Sequence, residues 1–205
     1  MMIELYDILS KYGLTPTGVI HVGSHYGQEY PEYKRCGIKN IVFIEPCKDA
    51  FDVVSKIDDE NVICINVACG EVEDELPMYV SHQNQGQSNS LLKPGLHTEQ
   101  HPEVVFDDAE IVKVVPLDNL PIIKDKYDML VMDVQGAEGL VLKGAKETLK
   151  NIKIIYTEIN RDYTYENNML IGEMEEFLKP FGFKLIEQYW PSPSWSWGDG
   201  IFIHE

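Results

Sequence analysis

Basic side chains are scarce in this chain of 205 residues. It has 17 lysines and arginines against 34 aspartates and glutamates, so its formal net charge at pH 7 is −17. Such a charge repels the phosphate backbone of a nucleic acid, and no run of lysine or arginine supplies a compensating patch. We therefore expect no nucleic-acid partner, and we interpret the acidity more as a means of solubility than as a sign of a cationic substrate.

Long apolar runs and paired cysteines are also lacking. No apolar run reaches the roughly 18 to 20 residues that cross a bilayer, and the N-terminus has no basic region followed by an apolar one. The four cysteines do not have the C-x-x-C spacing of zinc or redox sites. We therefore expect a cytoplasmic protein with no membrane partner, with free thiols and with no metal site.

The chain does contain enough apolar side chains for a sizeable core, since 44% of its residues are hydrophobic and 10% are aromatic. Its length suits one domain. We expect a single domain over residues 1–205, in which residues 1–17 form an N-terminal helix and lead-in.

Strand and helix patterns alternate along most of the chain. The predicted strands are residues 18–22, 40–45, 61–67, 76–80, 111–116, 127–134, 153–159, 183–189 and 200–204. The predicted helices are residues 4–11, 29–36, 47–57, 138–150 and 171–179. This alternation is typical of a parallel sheet with helices on its faces.

Two segments interrupt the alternation. The last two strands are joined without a helix, so they must pair antiparallel, because a parallel pair needs a crossover of a dozen or more residues. Residues 82–108 form a polar stretch rich in Gln, Asn, Ser and His. A long irregular segment inside a compact domain is usually a functional lid or disordered, and we expect a mobile lid here.

The stretch from Gly18 to Glu29 runs from an apolar strand into a loop with two glycines, and Glu45 closes the next strand. Gly23 and Gly27 allow a tight turn and a close approach of the backbone to a ligand. A carboxylate at the end of the second strand can accept the hydroxyl protons of a ribose. This order predicts a nucleotide-type cofactor pocket, and the glycine spacing fits S-adenosylmethionine (SAM) methyltransferases better than the G-x-G-x-x-G of dinucleotide enzymes.

Further motifs make the pattern more specific. The first is Met132-Asp-Val-Gln-Gly-Ala-Glu138, followed by Val141-Leu-Lys-Gly-Ala145. The others are residues 21–29, Glu45-Pro46, Asn66-Val-Ala68, Ser88-Asn-Ser-Leu91, Val115-Pro-Leu-Asp-Asn-Leu120 and Thr157-Glu-Ile159. In this order and spacing, they resemble the FkbM family of SAM-dependent methyltransferases over residues 18 to 205. His21, Val131 and Gln135 depart from the pattern, since many members carry Asp, Lys and Glu at these positions.

The resemblance implies a Rossmann-like class I methyltransferase fold, with a mostly parallel seven-stranded sheet, a C-terminal antiparallel hairpin and helices on both faces. It implies SAM as the cofactor and, as the first expectation, O-methylation of a small-molecule or glycan hydroxyl. The residues that it places at the cofactor are Gly23, Ser24, His25, Gly27, Glu45, Pro46, Asn66, Val67, Ala68 and Asp133.

For the chemistry, the resemblance points to Asp133 as the residue at the reaction centre, with Glu138 and His25 as further candidates for the catalytic role. The alternative for Glu138 is the cap of a helix start, and the alternative for His25 is packing in the cofactor loop. The residues expected at the acceptor are Ser88, Asn89, Ser90, Glu158 and Trp195. The tryptophans near the C-terminus also suit simple packing of the hairpin.

Two other classes of function stay open. An NAD-type oxidoreductase would share the strand order but is disfavoured by the glycine spacing and the terminal hairpin. A non-catalytic protein that keeps the SAM fold is the second alternative, against which the intact Gly23, Glu45 and Asp133 argue.

Overall fold

A computed structural model describes residues 3–205 of the chain. The first third alternates helix and strand. Its elements are α1 (Leu5–Tyr12), β1 (Gly18–Val22), α2 (Tyr30–Arg35), β2 (Asn40–Ile44), α3 (Lys48–Val54) and β3 (Val62–Ile65). The chain then enters β4 (Ala68–Cys69), β5 (Asp74–Val80), α4 (His97–Gln100) and β6 (Asp108–Val115).

The remaining elements complete the alternation. They are β7 (Met129–Met132), α5 (Glu138–Lys143), β8 (Ile154–Asn160), α6 (Ile171–Leu178), β9 (Phe183–Tyr189) and β10 (Trp197–His204). Short 3-10 turns occupy Leu117–Asn119, Lys124–Lys126, Thr148–Lys150 and Lys179–Phe181.

The main sheet has seven strands in the order β3-β2-β1-β7-β8-β10-β9. Neighbouring strands are parallel except at β10, which pairs antiparallel with both β8 and β9. The expected seven-stranded sheet and its C-terminal hairpin are therefore confirmed. The order reverses between β1 and β7, and ligands of open α/β sheets bind at the carboxyl ends of the strands at such a point.

Side chains alternate along the central strands and thereby build an apolar layer on each face of the sheet. On β1, Val19 packs in the layer that includes Leu5 and Tyr33 from α1 and α2. The next residue, Ile20, packs in the opposite layer with Leu142 of α5 and Leu178 of α6. The strands are buried on both faces, as expected for a parallel sheet.

Several predicted boundaries were wrong, among them the following three. The predicted strand 61–67 ends at Ile65, and β4 pairs instead with β6 in a separate sheet of three strands. The predicted helix 138–150 ends at Lys143, because the backbone at Gly144 lies so close to Gly70 that a Cβ there would be 2.0 Å from the Gly70 carbonyl oxygen. The last strand begins at Trp197 rather than at residue 200.

The predicted lid, residues 82–108, contains α4 and is anchored through its backbone. The amides of Gly95 and His97 both donate to the carbonyl of Thr164, at 3.0 Å each. Ser90 forms a bridge with Tyr79 of β5. Backbone hydrogen bonds therefore attach this segment to the domain, although it has few apolar side chains. Within residues 3–205, no helix combines the length and the apolar character needed to cross a membrane.

Candidate functional site

A cavity of about 600 Å³ opens where the order of the sheet reverses. It is lined by the loops that follow β1, β2 and β7, by the lid segment and by the ends of β8 and β10. The predicted site residues on its wall are Gly23, Ser24, His25, Glu45, Pro46, Val67, Ala68, Ser88, Asn89, Ser90, Asp133 and Glu158. Four predicted residues do not line it: Gly27, Asn66, Glu138 and Trp195.

The loop after β1 depends on its two glycines. Gly23 has φ 79°, and a Cβ at this position would lie 2.0 Å from the Asp133 carbonyl oxygen, so only glycine lets the loop reach the end of β7. Gly27 has φ 73°, and its Cβ would lie 2.7 Å from Val54 of α3. Gly27 therefore shapes the loop from behind rather than facing the cavity.

Glu45 is buried at the cavity wall, and both of its carboxylate oxygens accept backbone hydrogen bonds. Oε2 accepts from the His25 amide at 2.7 Å, and Oε1 accepts from the Cys47 amide at 2.8 Å. Burial raises the pKa of this carboxyl, while the two amides act in the opposite direction. Each oxygen keeps a second lone pair for a ligand hydroxyl.

Asn66 supports this wall from outside. Its side-chain amide donates to the carbonyl oxygens of Glu45 at 2.8 Å and of Pro46 at 3.0 Å, while Val67 and Ala68 line the cavity. Ser24, on the opposite side of Glu45, is buried, and its Oγ has no hydrogen-bond partner. A buried hydroxyl at a cavity wall without a partner is the condition expected of a group that binds a polar ligand.

His25 is held through its side chain as well as its backbone. The Nδ1 atom lies 2.8 Å from the side-chain amide nitrogen of Gln28, and Nε2 lies 2.8 Å from the Gln85 carbonyl oxygen. With Gln28 as donor to Nδ1, the imidazole proton lies on Nε2 and is donated to Gln85. Both ring nitrogens are then engaged, which favours the packing role of His25 over a role as base.

Gln135 is at the centre of the other end of the cavity. Its Nε2 donates to Asp133 Oδ1 at 2.8 Å and to Glu158 Oε2 at 3.1 Å. The Tyr165 hydroxyl lies 3.1 Å from Gln135 Oε1, and Ser90 Oγ donates to the Gln135 carbonyl at 2.6 Å. The sequence marked Gln135 only as a departure from the family pattern, because three of its four partners, Ser90, Glu158 and Tyr165, are distant in the chain.

Glu158 and Glu138 are buried carboxyl groups with different surroundings. Glu158 lines the cavity, accepts from the Asn160 side-chain amide at 3.2 Å, and has a pKa raised well above the ordinary value, first by burial and then by Glu138 and Asp133. Glu138 accepts from the backbone amides of Val134 at 3.1 Å and Gly136 at 3.4 Å. Burial raises its pKa to about 7. Both amides belong to the loop before α5, so the Glu138 side chain holds this loop and does not line the cavity.

The aromatic wall is formed by Trp197 rather than by Trp195. The two indole rings stack at 5.2 Å with an interplanar angle of 18°, and Trp197 is the one that lines the cavity. Trp197 Nε1 donates to His101 Nε2 at 3.2 Å. His97, also on the wall, has its pKa lowered to about 4 by burial. Trp197 begins β10 and Trp195 lies before it, so the sequence motif Ser-Trp-Ser-Trp at 194–197 did not reveal which of the two rings lines the cavity.

The charge of the cavity has one sign. Six carboxyl residues line it, and no lysine or arginine of residues 3–205 does. The six are Glu29, Glu45, Glu103, Asp133, Glu158 and Asp199. Within the same residues, no group of three or more His, Cys, Asp or Glu side chains is arranged to hold a metal ion.

This fold, with a cavity at the reversal point and a carboxylate after β2, defines a class I SAM-dependent methyltransferase fold. The same fold occurs in the magnesium protoporphyrin IX methyltransferase ChlM of Synechocystis PCC 6803, solved with bound SAM. The TM-score is 0.55 at 9% identity, over 98% of this chain and 76% of that one. The plantazolicin methyltransferase BpumL, in complex with SAH, has a TM-score of 0.56 at 11% identity, over 98% and 83%. At these identities the likeness concerns the fold.

The sequence itself places the chain more narrowly. The model of the methyltransferase FkbM domain matches residues 21–185, and the chain belongs to this family. It is also 33% identical over 104 residues to the 2-O-methyltransferase NoeI of Sinorhizobium fredii. That match spans 50% of this chain and 42% of the relative, so less than half of NoeI is covered. The predicted family is confirmed.

Proposed function

We propose that the chain transfers the methyl group of SAM to a hydroxyl group of an uncharged small-molecule or glycan acceptor. The observation that carries the proposal is one cavity whose wall has two groups of carboxyl residues from different elements. Glu45 lies with Ser24 in the loops after β1 and β2, which we call the cofactor end, and Asp133 and Glu158 lie after β7 and on β8, which we call the acceptor end. The name of the relative NoeI, a 2-O-methyltransferase, supports oxygen as the methylated atom.

The cofactor end has groups that suit SAM, which supplies an electrophilic methyl group on a sulfonium when bound. Glu45 would accept the ribose hydroxyls, because its two oxygens already face the cavity with backbone amides behind them. Val67 and Ala68, with Pro46, would contact the adenine. Ser24 would satisfy its unpartnered hydroxyl on a polar group of the cofactor.

The acceptor end would accept the proton that the acceptor hydroxyl loses. A hydroxyl must lose its proton when its oxygen takes a methyl group, and a carboxylate in hydrogen-bond reach can accept it. Asp133 is the group to which we assign this step, since it lines the cavity at the end of β7. Ser88, Asn89 and Ser90, with Trp197, would hold the acceptor beside it.

The charge of the cavity limits the acceptor. An anionic acceptor would face several carboxylates with no lysine or arginine on the wall to pair with it. Two like charges 4 Å apart repel by roughly 4 kcal/mol at an effective dielectric constant of about 20. We therefore propose an acceptor without phosphate or carboxylate near the methylated hydroxyl, which also disfavours RNA.

Two measurements test the proposal. Calorimetric titration compares SAM, S-adenosylhomocysteine (SAH) and NAD, and turnover is then measured on pairs of neutral and phosphorylated hydroxyl compounds. We expect SAM and SAH to bind and only neutral members to be methylated. Binding of NAD alone would point to an oxidoreductase. SAM binding without turnover on any acceptor would favour a non-catalytic SAM protein, and methylation of phosphorylated members would refute the uncharged acceptor.

We also propose that residues 82–108 act as a lid. The segment carries Asn84, Ser88 and His97 on the cavity wall, and hydrogen bonds rather than apolar contacts supply most of its anchors. A ligand would add contacts and slow local opening. Hydrogen exchange should show stronger protection of these amides with SAH than without, whereas equal protection in both states would contradict a lid.

A further inference from the structure

The side chain of Gln135 is fixed at every polar atom. Its two N–H groups point to Asp133 and Glu158, and its oxygen faces the Tyr165 hydroxyl. Only this orientation of the amide satisfies both carboxyl oxygens, because a flipped amide would bring oxygen against oxygen. The backbone is fixed as well, with φ 54° at Gln135 and 91° at Gly136, where a Cβ would contact the Tyr165 ring.

The neighbourhood of the Gln135 amide is rich in carboxyl groups. Glu138 of α5 acts electrostatically on Glu158 of β8, and so does Asp199 of β10. The titratable groups that interact with Asp133 include His21, Tyr33, Glu45, Glu138, Tyr156, Glu158 and Tyr165. No lysine, arginine or histidine among residues 3–205 forms an ion pair with Glu138 or Glu158.

Buried carboxyl groups in such a cluster cannot all be ionised. An amide donates hydrogen bonds but carries no charge, so Gln135 orients its neighbours without neutralising them. The proton is retained where ionisation costs most, which is at the fully buried Glu158 beside Glu138. Asp133, by contrast, is only partly buried at the cavity wall.

On the basis of the proposed function, we infer that Gln135 is a positioning residue that holds Asp133 and Glu158 as an unlike pair on the cavity wall. Asp133 is the ionised member and takes the acceptor proton. Glu158 is the protonated member and donates a hydrogen bond to the acceptor.

The reaction step balances with these assignments. The acceptor oxygen forms a bond to the methyl carbon, and the bond from that carbon to sulfur breaks with its electron pair left on sulfur. The hydroxyl proton moves to the Asp133 carboxylate and afterwards to solvent. Glu158 keeps its own proton throughout, so it serves as a hydrogen-bond donor and not as a base.

The test is a pH titration of carboxyl carbons by ¹³C NMR in protein labelled at Asp and Glu. Asp133→Asn and Glu158→Gln identify the two signals. Gln135→Glu keeps the side-chain shape but replaces both N–H donors by a carboxylate. Gln135→Asn suits the positive φ and keeps the amide, but it is one methylene too short to reach both partners. The matched control is Gln85→Glu, the same change at an exposed glutamine with φ 60°.

In the wild type, Glu158 should still be protonated at pH 7, because burial and the nearby Glu138 and Asp133 raise its pKa. The Asp133 midpoint should rise by about one unit in Gln135→Glu and by less in Gln135→Asn, and should not move in Gln85→Glu. A merely structural Gln135 would lower the melting temperature without moving this midpoint.

Two results would overturn the inference: an Asp133 midpoint within about 0.3 unit of the wild type in both Gln135 variants, or an ionised Glu158 beside a protonated Asp133 at pH 7. If Gln135→Glu does not fold, Gln135→Asn carries the same prediction. SAH affinity is measured on the same samples. Failure of the wild type to bind SAH would refute the proposed function, whereas the titration reports on Gln135 in either case.

Discussion

The two ends of the cavity hold their carboxyl groups by different means. At the cofactor end, Glu45 accepts from two backbone amides of the loops beside it. At the acceptor end, Glu158 accepts from the side-chain amides of Gln135 and Asn160. Backbone donors stay in place as long as the loop keeps its shape. Side-chain donors are lost with a single substitution.

This difference assigns separate tasks to the two ends. Two backbone amides counteract part of the rise that burial causes in the pKa of Glu45, and they hold its carboxyl group in place for a cofactor hydroxyl. At the acceptor end, the uncharged side-chain amide of Gln135 orients the carboxyl groups of Asp133 and Glu158, so that each of them can gain or lose a proton. Substitutions at the cofactor end should therefore weaken SAM binding, whereas substitutions at the acceptor end should lower turnover.

The largest expected effect is at the acceptor end. Asp133→Asn should lower turnover by about 10² or more and keep SAM affinity within about a factor of ten, because the amide preserves shape but cannot accept the proton. Single-turnover rates and SAM affinity are measured on the same variant. A loss in SAM binding with intact chemistry would instead place Asp133 at the cofactor.

The matched comparison is Glu158→Gln. A protonated glutamic acid and a glutamine are similar in shape and both are neutral, so turnover should fall by roughly tenfold at most. Equal losses in the two variants would remove the distinction between Asp133 and Glu158.

The next effect belongs to the cofactor end. Glu45→Ala should weaken SAM binding by about 1 to 3 kcal/mol, because it removes charge-assisted hydrogen bonds to the cofactor. Turnover at saturating SAM should stay within about threefold of the wild type. Calorimetry measures the affinity, and Glu71→Ala, at an exposed carboxylate, is the control. An unchanged SAM affinity in folded Glu45→Ala would exclude Glu45 from the cofactor site.

The dependence of the free energy of unfolding on pH reports on the protonation of the buried carboxyl groups. The folded pKa of Glu138 is raised to about 7 and that of Glu158 lies well above its ordinary value, so the folded chain holds protons that the unfolded chain releases. The free energy of unfolding should therefore fall between pH 6.5 and 8. His21 and His97, with pKa values lowered to about 4, act in the opposite direction only below about pH 6.5.

The variant Glu138→Gln tests whether the loss of stability between pH 6.5 and 8 comes from Glu138. Its melting temperature should fall less between pH 6.5 and 8 than that of the wild type. The exposed His82, whose pKa is raised by its hydrogen bond to Asp107, adds a change of the same sign, so His82→Gln is measured in parallel. An equal slope in wild type and Glu138→Gln would mean that Glu138 is ionised in the folded chain at neutral pH.

The comparison also shows which parts of the site can be predicted from sequence. The cofactor end follows from local order, since the loop with Gly23 and the carboxylate of Glu45 come directly after successive strands. The acceptor end depends on contacts between distant residues. Ser90 and Gln135 are 45 positions apart, and Ser88 and Tyr165 are 77 apart. Periodicity carries no information about which distant side chains meet, so Gln135 was noted only as a departure from the family pattern.

In the fold, too, the features set by local sequence were predicted and those set by distant contacts were not. The alternation of strands and helices predicted a parallel sheet with helices on its faces, because a period of two or of 3.6 residues is a local property, while the number of seven strands came from the family resemblance. The early end of α5 was missed, since it depends on the close approach of Gly144 to Gly70, which is distant in the chain.

The smallest expected effect concerns the aromatic wall of the acceptor end. Trp197→Phe keeps an aromatic face on the cavity but removes the hydrogen bond from Nε1 to His101, so the acceptor KM should rise about three- to tenfold with SAM affinity unchanged. Trp195→Phe changes the ring that stacks behind Trp197 and should raise this KM less. Steady-state kinetics at saturating SAM compares the two variants. A larger effect in Trp195→Phe would restore Trp195 as the acceptor contact expected from the sequence, and a change in SAM affinity in either variant would mean that the two ends of the cavity are not separate.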